Sequence, residues 1–131
     1  MLFSIDPSNG LAIYDQIVRN MTFAIANEAI LPGELVPSVR ELSRQLAVNP
    51  NTVARAYRDL QALGVLSSLR GTGLEVSADA PTQCRKERLK LLRERIRYVL
   101  TEASQSGLEL TKLRTLVEEE ISKLEKQGAV R

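Results

Sequence analysis

The 131 residues include no His, one Cys and no Trp, so the usual zinc sets, nucleophile–base pairs and internal disulfides cannot be assembled; neither an enzyme nor a metal or other cofactor is expected. With 44% apolar residues but only 4% aromatics, a small helical core fits this composition better than a sandwich or barrel. The formal charge of +2 is unevenly spread: residues 1–78 hold six Arg and no Lys against seven acids, and 79–131 hold twelve bases against nine acids, which excludes a bulk basic footprint from the first part.

Met1 to Pro7 lacks a basic region followed by an apolar run, and no apolar stretch approaches the roughly 20 residues that cross a bilayer, so a cytoplasmic chain with no membrane association is expected. Ile13, Ile17, Met21, Ala24, Ile25 and Ala29 recur at helical spacing and predict a first helix over 11–30, started at Asn9-Gly10 and stopped at Pro32-Gly33. The segment 31–37, with two prolines and a glycine, predicts an extended connector. Ser38 followed by Glu41 is a capping-box pattern opening a short second helix, with Val39, Leu42 and Leu46 buried and an end near Ala47. Asn49 is a favoured N-cap and Pro50 suits a first helical position. The third helix that follows aligns Val53, Ala56, Tyr57, Leu60 and Leu63, and Gly64 closes it.

Residues 65–69 and 74–77 predict two strands joined by the tip Arg70-Gly71-Thr72-Gly73. Residues 79–84, with Asp79-Ala80-Pro81-Thr82, predict a linker. Two amphipathic helices are then expected, near 85–104 and 111–126, broken at Ser106-Gly107. Leu89, Leu92, Ile96, Val99 and Leu100 align on the first, and Leu113, Leu116, Val117, Ile121 and Leu124 on the second. Two such stripes on a helical pair need a partner surface; a symmetric dimer supplies one, with packing back on the chain's own winged helix, or a coiled coil for other partners, as the competing readings. The expected fold is therefore mainly α with a small β-hairpin. A winged helix-turn-helix over 1–78 and a two-helix dimerisation region over 85–131 are joined by a linker at 79–84.

A helix-turn-helix places the N-terminal part of its second helix toward base edges in the major groove. On the third helix here, Asn51, Thr52 and Arg55 lie off the core face, with Arg58 a turn further on, toward backbone phosphate. Arg40 opposes the dipole of its own helix, which implies an external partner such as a phosphate or guanine. Arg70, flanked by glycines, has the freedom to enter a minor groove. From Arg40 to Gly73, five Arg face only Glu41 and Asp59. The basic run from Arg85 to Arg97 reads as a solvated helix face, with phosphate contact as the sharper alternative.

The runs Pro32-Gly33-Glu34, Pro37-Ser38-Val39-Arg40-Glu41-Leu42, Val48-Asn49-Pro50-Asn51-Thr52-Val53, Arg55-Ala56-Tyr57 and Arg70-Gly71-Thr72-Gly73 resemble the GntR family of bacterial regulators over about residues 11–78. The Val-Asn-Pro-Asn-Thr run and the short tail resemble its YtrA-type subfamily. The resemblance implies base contact by Arg40, recognition-helix contacts from Asn49, Asn51 and Thr52, and wing contacts from Arg70, Gly71 and Thr72. It implies a transcriptional regulator, expected to be a repressor that binds a palindromic operator in double-stranded DNA as a homodimer. Many relatives have Arg where this chain has Pro50 and Ala54, so those two contacts do not carry over. Only about fifty residues follow the wing, too few for a large effector domain, and any small-molecule effector is unknown. Two other readings stay open: a ligand-gated regulator with a site between the tail helices and the winged helix, and a winged-helix adaptor that contacts only proteins.

Overall fold

The computed structural model describes residues 4–69 and 71–128. Its elements are α1 (Ile13–Ala26), α2 (Val39–Leu46), α3 (Pro50–Ala62), β1 (Leu66–Leu69), β2 (Gly73–Val76), α4 (Ala80–Gln105) and α5 (Leu110–Lys126). They divide into two compact units, one through Leu91 and one from Leu92 onward.

In the first unit, α1 buries Ile17, Met21 and Ile25 at successive four-residue steps, against Val53, Ala56, Tyr57 and Leu60 of α3 and Leu42 of α2. Gln16 is also buried, because its amide ties down the preceding segment. It accepts from the Asp6 N–H (2.9 Å) and donates to the carbonyls of Asp6 (2.9 Å) and Leu11 (3.0 Å). The helix is shorter than the predicted 11–30. Asn9 caps the Leu11 N–H (2.8 Å) in the preceding turn, and Ala12 occupies the N-cap without a side-chain bond. At the other end, Glu28 takes a left-handed φ of 61° and the Ala29 N–H returns to the Ala24 carbonyl (2.8 Å). That closure leaves Ala29 exposed, not on the apolar stripe, and turns Ile30 into the core outside the helix.

α2 begins as its sequence dictates. The Ser38 Oγ accepts from the Glu41 N–H (3.0 Å), and the Glu41 carboxylate accepts from the Ser38 N–H (2.9 Å). The Ser38 N–H first, and then the Ser38 side chain, hold the Glu41 carboxyl below its ordinary pKa. Ala47, left-handed at φ 56°, ends the helix and starts the turn into α3. There the Asn49 side chain accepts from the Asn51 N–H (2.8 Å) and Pro50 opens the first turn. Leu63 does not join the buried face of α3; it is exposed beside Gly64, whose φ of 79° reverses the chain.

β1 and β2 pair antiparallel, from Leu66 opposite Val76 to Leu69 opposite Gly73. The predicted connector adds to this hairpin. Leu35 bridges Glu75, the Val36 N–H donates to Leu74 (3.0 Å) and the Val76 N–H donates to Glu34 (2.9 Å). The wing is thus anchored to the chain just before α2.

Residues 79–84 are not a linker. α4 starts at Ala80, and Ala80 and Cys84 are buried in the core of the first unit. The Gln83 amide also donates to the Leu63 carbonyl. Pro81 is accommodated because a first-turn residue needs no N–H donor. In the second unit, α4 ends at Gln105, Gly107 takes a φ of 93°, and α5 follows from Leu110. Among the described residues, no helix is long and apolar enough to cross a membrane.

Candidate nucleic-acid interface

Packing of α2 on α3 sets the site. Tyr57 has its ring in the core, and its hydroxyl donates to the Pro37 carbonyl (2.7 Å), just before the cap of α2. Burial, and then the charge of Glu41, push this phenol well above its ordinary pKa, so it remains a donor. Ser38, Glu41, Gln45 and Tyr57 line one side of an open groove of about 590 Å³, and Thr72 and Leu74 of the hairpin line the other.

Arg40 is the second residue of α2, exposed, and without an ion pair among the described residues. Asn51 and Arg58 of α3 are exposed and Thr52 is half-buried. Asn49 is exposed, but its side-chain oxygen is already used as the cap of α3, which leaves its amide NH₂ as the group to meet a ligand. On the wing, Gly71 and Gly73 have φ of 73° and 109°, and a side chain at either would meet open space. Thr72 is exposed and its N–H donates to the Leu69 carbonyl (2.9 Å). Arg70 lies outside the described residues.

Arg55 has a neighbour that spacing along α3 could not reveal. Its guanidinium carbon lies 3.7 Å from the centre of the Tyr14 ring on α1. The basic run on α4 is also not uniform. Arg88 is half-buried and donates to the Asn27 side chain (2.8 Å), a tie between α4 and the end of α1, whereas Arg85 and Lys86 are exposed.

Of the residues expected to dimerise, Leu89, Leu92, Ile96, Val99, Leu100, Leu116, Val117, Ile121 and Leu124 are exposed, and Tyr98 and Leu110 join them. Leu113 departs from the expectation: it is 7% exposed in the single chain and is not free to meet a partner. Among the described residues, no group of three or more His, Cys, Asp or Glu could hold a metal ion.

Residues 13–76, from the start of α1 to the end of the wing, match the family "Bacterial regulatory proteins, gntR family". The HTH-type transcriptional repressor YtrA of Bacillus subtilis is 34% identical over 118 residues, 90% of this chain and 91% of that protein. Among solved structures, a GntR family transcriptional regulator from Listeria monocytogenes is similar with a TM-score of 0.65 and 32% identity, over 88% of this chain and 98% of that one. The AraR DNA-binding domain in complex with operator ORX1 is similar with a TM-score of 0.51 and 29% identity, over 59% of this chain and 95% of that one.

Proposed function

The chain belongs to the GntR family of bacterial regulatory proteins and is a DNA-binding transcriptional regulator, not an enzyme, and from that premise we propose that it represses transcription by occupying a palindromic operator as a homodimer in the cytoplasm. Arg40 carries this reading. It is an exposed arginine, unpaired among the described residues, in the first turn of a helix whose dipole it opposes. A guanine edge or a phosphate would supply the missing counterpart.

In this reading, the start of α3 enters the major groove, with Asn51, Thr52 and the amide of Asn49 toward the bases. Arg55 and Arg58 lie on the backbone side. The wing offers Arg70, Gly71 and Thr72 to the adjacent minor groove, where residues without bulk allow close approach. Specificity then comes from few side chains, in keeping with a winged half that is not basic overall. The similarity to a DNA-binding domain solved on its operator supports the binding mode, and the similarity to a repressor along 90% of the chain supports the outcome.

The exposed apolar residues of α4 and α5 support pairing through a second copy. Left in water they form two unpartnered stripes, and pairing would present two recognition helices to one operator. Selection of duplexes from a random pool by the full chain tests the whole reading. Two inverted half-sites, with centres about one helical turn apart, are expected. Failure to enrich any sequence would leave the protein-only adaptor as the better account.

A further inference from the structure

We propose that Tyr14, outside the helix-turn-helix, is a positioning residue for DNA binding: its ring holds the Arg55 guanidinium as a preset contact for a backbone phosphate. This rests on the DNA-binding reading above. The observation is that the guanidinium carbon lies over the Tyr14 ring, 3.7 Å from its centre, in van der Waals contact with the ring face. A guanidinium carries its N–H donors in its own plane, so a partner on one face leaves the donor edges free. Among the described residues Arg55 makes no ion pair, so those edges have no carboxylate.

The stack is not required to close the core. Ile17, Met21, Ala56 and Leu60 already fill the contact between α1 and α3, whereas Arg55 is exposed and Tyr14 is only half-buried. What the stack does is fix a long side chain. A free arginine loses rotamer entropy when it is immobilised on a phosphate, and one already held on a ring loses less on binding. Arg55 also lies one turn beyond Asn51 and Thr52 on α3, which keeps its phosphate close to the bases that those two residues would meet. Arg58, a further turn fraction along, makes no ring contact among the described residues and is not preset in this way.

The test uses the full chain and the duplex that the wild type enriches from a random pool, with affinity read by fluorescence anisotropy. Tyr14→Leu should weaken binding by about three- to tenfold, Tyr14→Phe should stay within about twofold of wild type, and Tyr14→Leu should be nearly silent when Arg55 is already Ala. Rescue by Phe and loss of effect in the Arg55→Ala background are readouts that a purely structural tyrosine would not give. Should Tyr14→Leu fail to fold by circular dichroism, Arg55→Lys decides instead. It keeps the charge but not the planar stack, and is expected to bind at least about threefold more weakly. Wild-type affinity for the variant measured, or losses at Tyr14 and Arg55 that simply multiply, would overturn the inference while leaving the regulator reading intact. A wild type that enriches and binds no duplex overturns both.

Discussion

Tyr57 and Cys84 show how burial at single residues writes a pH dependence into a chain without histidine. Tyr57 is buried against the core and Cys84 is fully enclosed beside the start of α4. Burial first, and then the charge of Glu41, raise the Tyr57 phenol; burial first, and then Glu87, push the Cys84 thiol up from 9.0 to about 11. Both groups therefore hold their protons longer in the folded state than in the unfolded one. The stability they contribute is intact below the unfolded thiol value of 9.0 and is lost as pH rises through about 11 for Cys84, with Tyr57 adding to the loss above its unfolded value of 10.0. Urea denaturation should thus give a lower midpoint at about pH 10.5 than at about pH 8. An unchanged or higher midpoint would show that these two groups do not govern alkaline stability.

At the scale of elements, what the sequence disclosed was what local chemistry decides. The caps of α2 and α3 were legible because Ser38 with Glu41, and Asn49 with Pro50, act on backbone groups two or three residues away. Replacing Ser38 by Ala should therefore cost about 1 kcal/mol of unfolding free energy, measured by chemical denaturation; a loss near zero would mean that packing alone sets the start of α2. What stayed hidden depended on distant partners. The end of α1 is set by Glu28 going left-handed so that Ile30 can reach the core, and nothing in the periodicity of 13–30 marks that residue. The first turn of α4 read as a linker because Pro81 punctuates loops and first turns alike, although Ala80 and Cys84 stand four apart, as buried residues on one helix face do. The bridge from Leu35 to Glu75 and the contact of Arg55 with Tyr14 join segments far apart in sequence. For the candidate site, the motif residues were therefore readable, but not the neighbours that orient them.

For the whole molecule, net charge is a poor guide and placement a good one. The winged half carries six Arg against seven acids, yet Arg40, Arg55 and Arg58 are without ion pairs among the described residues. Apolar surface is placed as unevenly as charge, with the large exposed aliphatic side chains concentrated on α4 and α5. If these form the dimer, Ile121→Glu should convert the chain to a monomer by sedimentation, with its helical content retained; a dimer that persists would place the interface elsewhere. The central claim is that a few positioned side chains, not bulk charge, read the DNA. It is tested most directly by comparing wild type and Arg40→Ala on the selected duplex and on a scrambled one of equal length. The expected result is a loss of about 1–3 kcal/mol, roughly 5- to 150-fold, on the selected duplex, with little change on the scrambled one. Equal losses on both duplexes, or none on either, would contradict it.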